Sequence, residues 1–486
     1  MAGSTPRRRA IDGGDGVLKR VVIIGAGVAG IAAALRIAEA GWTPIVLETR
    51  RKLGGRATSF DDPRTGLCLD NCQHVVMGCC SNILDLYRRL DVLDRIQWHE
   101  ETWWANPPCR PDLLRGSSLP SPFHFTTSFL RLRFLGIDDK IAIGQAMFSM
   151  IRMGLAGRDA WRNRPFSDFL DRTSQPAGAR ARFWEPVVVG ACNLPSDRVA
   201  GNHAIQVFQE GFLAGGWHAT MGLATCDLRS MLDRAEPIVR AAGGRIRLGT
   251  SVRGIAYDGI RANGVVTDRG LEHGTSIIST VPPDRLARLI SRPMQAVDER
   301  LRGLEDFDVS PILGVHLLFE QPVLRDDRRR YPHLVLPDRP THWFFDKGEV
   351  VLEDGRTLHH VNAVISAAEE WMALDEAEIG RRVVEDLHWA LPASRGLEPV
   401  LVRSVKEKRA TFSAVPGIDD RRPSARPSGM GIPNLHLAGD WCDTGWPATM
   451  EGAVRSGYAA AAVATGEGGV VPDVPPGRLV ARLGLR

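Results

Sequence analysis

The chain has 486 residues, 44% hydrophobic and 24% charged, with 50 glycines. That excludes a disulfide-stapled mini-protein, a disordered chain and a collagen-like repeat, and leaves room for two to three domains of about 150 residues each. Lys and Arg total 61 against 57 Asp and Glu, a formal charge of +4 to which Arg7, Arg8 and Arg9 contribute, so nucleic acid is not an expected partner. The eight cysteines form no CxxC pair, which predicts neither a disulfide framework nor a zinc site; no metal is expected, and a reducing cytoplasm suits them. Met1 to Arg20 lack the hydrophobic run of a secretion signal. The apolar runs Ile31–Ala38 and Ala459–Ala464 fall short of the roughly 18 to 20 residues of a bilayer span, so any membrane contact would be peripheral.

Residues 1–18, rich in Gly, Ser, Arg and Asp, read as a tail that buries too little apolar surface to order itself. Val21–Ile24 is a β-branched run typical of a buried parallel strand, Ala29–Ala40 carries helix formers up to Gly41, and Pro44–Glu48 supplies the next strand. From Trp103 to Gly157 prolines, aromatics and large aliphatics crowd together with few acids, as a separate apolar layer would. A helix from Pro237, a strand Ile246–Val252 and a strand Ser276–Val281 return to the first style. Val309–Phe319 and Val361–Ala367 suit an antiparallel sheet, with Glu376–Ala390 as a helix, and Leu435–Ala438 is a last buried strand before the helix Met450–Thr465. No 20- to 50-residue repeat appears. The expectation is an α/β fold of interleaved domains: a Rossmann-like nucleotide domain from 19–100, 235–300 and 430–466, a substrate domain of antiparallel sheet plus helices from 101–234 and 301–429, and a flexible tail over 467–486.

Gly25-Ala26-Gly27-Val28-Ala29-Gly30 is a GxGxxG between a strand and a helix, with Glu48 closing the next strand about 20 residues on. Gly25 permits the tight turn, Gly27 the approach of a pyrophosphate, and Gly30 close helix–strand packing. The amides of Val28 and Ala29 would face the phosphates, and Glu48, followed by Thr49 and Arg50, would hold an adenosine ribose. This motif alone does not choose between FAD and NAD.

Arg51-Lys52-Leu53-Gly54-Gly55-Arg56 resembles the flavin amine oxidase and phytoene desaturase superfamily, as do Leu437-Ala438-Gly439-Asp440 and Met450-Glu451-Gly452-Ala453-Val454. The resemblance implies FAD, with Gly54, Gly55 and Arg56 along its pyrophosphate and Val252, Gly439, Asp440, Thr449, Met450 and Ala453 among its contacts. It would set Asp440 on a ribityl or phosphate-proximal hydroxyl and the N-terminus of the Met450 helix towards the flavin ring. A closer resemblance, from about Leu18 to Thr465, is to the squalene-associated FAD-dependent desaturases, which act as hydroxysqualene dehydroxylases. It is carried by Asp70-Asn71-Cys72-Gln73-His74, Phe183-Trp184-Glu185-Pro186, Glu407-Lys408-Arg409-Ala410-Thr411-Phe412 and the run from Gly439 through Thr444-Gly445-Trp446-Pro447-Ala448-Thr449 to Ala453. Cys72 departs from that pattern, where glycine is expected.

The resemblance implies that an allylic C–OH of a long isoprenoid becomes C–H, which needs a proton for the departing oxygen and a hydride for carbon. His74 is the first candidate acid, followed by Asp70, Gln73 as an orienting donor, and Asp443. Trp441, Trp446 and Phe412 would wall the substrate pocket. Phe123, Phe125, Phe129, Leu130, Leu132, Phe134 and Leu135, with Arg131 and Arg133, would form a face touching the cytoplasmic side of a membrane, and Leu479, Val480, Leu483 and Leu485 repeat that theme. Partner synthases of the squalene pathway are a further expectation. A carotenoid- or phytoene-type desaturase, an amine oxidase and a flavin-free prenyl-binding escort of the GDP-dissociation-inhibitor type remain alternative readings.

Overall fold

The computed structural model describes residues 19–486, so the expected tail 1–18 lies outside the described residues. A five-stranded parallel sheet runs in the order Arg245–Arg247, Thr43–Leu47, Arg20–Ile24, Ser276–Ser279, Leu435–Leu437. The central strand is buried over Val21–Ile24 because both of its faces are covered, Val21 and Ile23 sharing a core with Ile31 and Val454 of two helices and Val22 and Ile24 one with Ile255, Ala262 and Val265 of an antiparallel sheet, which is why it reads as a continuous apolar run without alternation. Helix Val28–Glu39 follows it, and helix Met450–Thr465 packs against that helix.

A second, seven-stranded sheet runs Leu401–Phe412, Val309–Phe319, Thr357–Ser366, Trp343–Val351, His333–Val335, Glu101–Asn106, Cys109–Arg115. Its three long central pairings are antiparallel, with Val315 opposite both Ala363 and Ser404. Helix Glu376–Ala390 seals one face by packing Ile379, Val383 and Leu387 on Leu313 and Leu317. Asp375 caps that helix by accepting from the Glu378 amide at 2.8 Å. Beside this sheet stands a helical layer around the interlocked rings of Phe166, Phe169, Phe183, Trp184 and Phe208, with centroids 4.7–6.2 Å apart.

Three expectations need correction. The run Ile246–Val252 is two strands: Gly249, at φ 62°, turns the chain out of the parallel sheet, and Val252–Tyr257 opens a separate three-stranded antiparallel sheet. The apolar stretch 123–135 is largely core, since Leu132, Phe134 and Leu135 are buried and only Phe123 and Leu130 remain strongly exposed. Residues 467–486 are no flexible tail. Asn82 donates to Val471 O and accepts from its amide, Arg455 pairs with Asp473, and Gly477 N donates to Ala214 O at 2.8 Å. A short helix, Arg478–Leu483, then buries Val480, and Leu485 behind it is equally buried. Val480 and Leu485, two of the four apolar positions flanked by arginines, thus serve packing on the main body, and the segment is a strap that ties Asn82 and Arg455 to Ala214.

Val480→Asp should therefore lower stability by about 3 kcal/mol, as an unpaired charge replaces a buried side chain. Denaturant unfolding monitored by circular dichroism checks it, and an unchanged midpoint would contradict the docked strap.

Candidate active site

The glycine-rich turn has the shape its spacing predicts. Gly25 N donates to Leu47 O at 2.8 Å, and a Cβ on Gly30 would stand 2.0 Å from Gly25 O, so only glycine lets the helix start this close to the strand. Glu48 accepts from Ala26 N and Arg50 N at 2.8 Å each, which fixes its carboxylate beside the turn. Thr49 and Arg50 are exposed, and Arg50 reaches back to Gly55 O at 3.1 Å. Gly54 N donates to Ala26 O at 2.9 Å, so the Gly54-Gly55 segment lies directly on the first turn. Val252 sits one strand away, where Thr250 N donates to Glu48 O at 2.8 Å. Helix Val28–Glu39 has no side-chain cap and no acid in its first turn, leaving its leading amides for an anion. A glycine-lined surface, free helix amides and a carboxylate beside them fit a dinucleotide with two phosphates.

The second motif is organised by a residue that sequence reasoning missed. Arg422 is wholly buried, and its Nη2 lies within hydrogen-bond distance of Asp440 O, Cys442 O, Thr444 Oγ1 and Trp446 O, at 3.0, 2.6, 3.1 and 2.8 Å. Its Nη1 donates to Asp419 at 3.0 Å, and Asp419 also accepts from His203 and Asn202. Burial alone would raise the Asp419 carboxyl, but bonds and charge from His203 and Arg422 hold it far below the usual carboxylate range. Gly439 N donates to Ser456 Oγ at 2.7 Å, and Thr449 caps its helix by accepting from Gly452 N at 3.1 Å, with Ala453 N bonded to Thr449 O. Met450 is half-buried at the helix start. Asp440 pairs with Arg56 through Oδ1. Burial disfavours the Arg56 charge, yet Asp440 beside it raises the guanidinium above its ordinary value. Between Arg56, Asp440, Asp284 and Arg409 opens a small cavity walled by Phe412 and Trp441. Trp446 is elsewhere, under the Arg455 guanidinium at 5.0 Å.

The loop 70–74 meets the second sheet at van der Waals distance, since a Cβ on Gly314 would fall 2.8 Å from Asn71 O. Asp70 accepts from Ser59 Oγ and Leu228 N, at 2.8 and 2.9 Å, and its other oxygen is 3.6 Å from Lys347 Nζ. Lys347 also donates to Gln73 Oε1 at 2.9 Å. The Asp70 carbonyl accepts from His316 Nε2, which makes His316 Nδ1 the acceptor for His360 Nε2 at 2.8 Å. Burial holds His316 neutral, down to about 4, and pushes His360 well down. His74 donates Nδ1–H to Cys72 O at 3.0 Å, and its Nε2 has no partner among the described residues. Burial lowers the His74 pKa, which the Cys72 carbonyl only partly opposes.

The structure thus brings Asp70, Gln73 and His74 together and leaves Asp443 exposed on the far side of its turn. Asp70 is fully used as an anchor. Lys347, His316 and Arg422 carry no signal in the sequence, because each sits in an ordinary polar or alternating stretch and acquires its partners only from distant segments. Arg422→Met should leave four oxygens and Asp419 without their cation and destabilise by about 3–5 kcal/mol. Calorimetry checks this, and loss of less than about 1 kcal/mol, a surface pair's contribution, would contradict it.

The family model for flavin containing amine oxidoreductases matches residues 28–465. A 15-cis-phytoene desaturase of Narcissus pseudonarcissus is 25% identical over 459 residues, covering 90% of this chain and 78% of that protein. A hydroxysqualene dehydroxylase of Rhodopseudomonas palustris is 28% identical over 458 residues, covering 91% and 97%. Among solved structures, an oxidoreductase from Methanosarcina mazei superposes with a TM-score of 0.67 at 18% identity, over 90% of this chain and 98% of that one. A redesigned putrescine oxidase gives 0.65 at 18%, over 92% and 99%. These structures share the two-sheet fold. The chain belongs to the flavin-containing amine oxidoreductase family and is an FAD-dependent oxidoreductase.

Proposed function

We propose that the chain converts hydroxysqualene to squalene by reductive dehydroxylation. The observation that carries this reading is the end-to-end match to hydroxysqualene dehydroxylases: 97% of the Rhodopseudomonas palustris protein, at 28% identity, is spanned, against 78% of the Narcissus desaturase. The allylic C–O bond breaks, the oxygen leaves as water with a proton from the protein, and a hydride joins carbon. FAD, held by the Gly25–Gly30 turn, Glu48, Gly54-Gly55-Arg56 and the Asp440–Ala453 segment, supplies that hydride in its reduced form when bound.

The chain's own part is to deliver the proton and keep the site dry. His74 is suited to proton delivery, because the Cys72 carbonyl holds Nδ1–H and leaves Nε2 free to take up a proton and, in the imidazolium form, to give it to the leaving oxygen. Lys347 positions Gln73 and Asp70 behind it. Phe412, Phe307 and Trp441, with Phe307 and Trp441 edge to face at 5.6 Å, exclude water from a developing allylic cation and stabilise it by their ring faces. A phytoene-type desaturation is the second reading, favoured by a cyanobacterial 15-cis-phytoene desaturase of which 94% is spanned at 24% identity. No helix among the described residues is long and apolar enough to cross a membrane, and an apolar substrate is consistent with peripheral work at the inner surface of one.

Incubation of the reduced holoenzyme with hydroxysqualene, followed by extraction, should yield squalene, while phytoene should return unchanged. Desaturated phytoene with intact hydroxysqualene would overturn the assignment. Because burial holds the His74 pKa below the ordinary histidine value, the imidazole gains its second proton only at a pH under that value, and kcat/KM should rise as pH falls through that more acidic range. In His74→Gln the rise should vanish and turnover fall by about 100-fold, with flavin content retained.

A further inference from the structure

Helix Ile137–Gly157 has two apolar faces where a surface helix needs one. Ile143, Ala146, Met150 and Ile151 point into the core. Ile137, Ile141 and Phe148 point outward at 76%, 55% and 49% exposure, and their spacing places them on one stripe. Leu130, 61% exposed, lies beside the stripe because Lys140 Nζ donates to its carbonyl at 2.9 Å. The C-terminal strap closes the other side: Val480 faces in, Leu479 and Leu483 face out, and Arg486 O accepts from Leu155 N at 3.3 Å. Ala214 O accepts from both Gly477 N and Ser121 Oγ, which joins the strap to the loop bearing exposed Leu119 and Phe123. Single exposed apolar side chains are ordinary; three distant segments converging on one such surface are not.

The charges around it favour one occupant. Arg131, Arg152, Arg478, Arg482 and Arg486 are exposed and make no ion pair among the described residues. Of the two acids at the helix start, Asp139 turns back to accept from Gly136 N, and Asp138 alone faces outward. A second copy of the chain would set this basic rim against itself. Anionic headgroups neutralise it while the acyl boundary takes the apolar stripe. We propose that this face, centred on Ile137, Ile141 and Phe148 and completed by Leu479 and Leu483, docks the protein on an anionic lipid bilayer. The docking gives the isoprenoid reading a route for its substrate and rests on that reading for its purpose, but lipid binding itself involves no turnover.

The test is co-sedimentation of the holoenzyme with phosphatidylcholine vesicles, with and without phosphatidylglycerol, for wild type and for Ile137→Ser/Ile141→Ser/Phe148→Ser. Wild type should bind the phosphatidylglycerol vesicles, release in high salt, and lose binding roughly tenfold or more in the triple variant. Activity on detergent-dispersed substrate should be unchanged in that variant, so failure of the function and failure of the docking are separately visible. No wild-type binding, equal binding by the variant, or a wild-type dimer that the substitutions dissolve would each overturn the proposal.

Discussion

A guanidinium removed from water must be answered by the chain around it, and in this protein that demand shapes the site. Arg422 has no exposure, so the turn from Asp440 to Trp446 is curled to present three carbonyls and a hydroxyl to it. Asp419 neutralises it and is itself held by His203 and Asn202 of the helical layer. The turn Asp440–Trp446 is thereby fastened to the helical layer through one guanidinium, whose desolvation is offset only while its partners are in place.

Two further buried charges repeat the arrangement. Arg300 pairs with Asp298 and donates to Ala425 O and Leu435 O, fixing the last strand of the parallel sheet. Glu451 accepts from Asn82 N, Ile83 N and Arg455, so the helix after the turn is tied to the helix Ser81–Arg89 that follows the loop 70–74. The loop itself is pressed onto the second sheet at Gly314 and its carbonyl at Asp70 is taken by His316. Hydride transfer to a carbon centre needs sub-ångström placement with water excluded, and a frame of paired buried charges is suited to that placement.

Much of this is legible in the residues themselves. The strands Val309–Phe319 and Leu435–Leu437 and the helices Glu376–Ala390 and Met450–Thr465 lie where their periodicity puts them, because long, strongly patterned segments bury one face whatever surrounds them. The glycine turn and Glu48 are legible because the approach of a phosphate leaves no other residue type. Arg422, Lys347 and His316 are not, since a buried polar side chain is distinguished only by partners brought from elsewhere in the fold. The strap 467–486 hides for a related reason: its composition is that of a linker, and Val480 and Leu485 reveal their role only against Ile151 and Leu155.

In the proposed reaction, electrons leave the reduced flavin for an allylic carbon. Anaerobic mixing of the reduced protein with hydroxysqualene, followed by visible absorption, tests that transfer most directly. The oxidised flavin bands should return without oxygen, at the rate at which squalene forms and in equal amount. Bands that return only on admission of oxygen, with hydroxysqualene untouched, would contradict it.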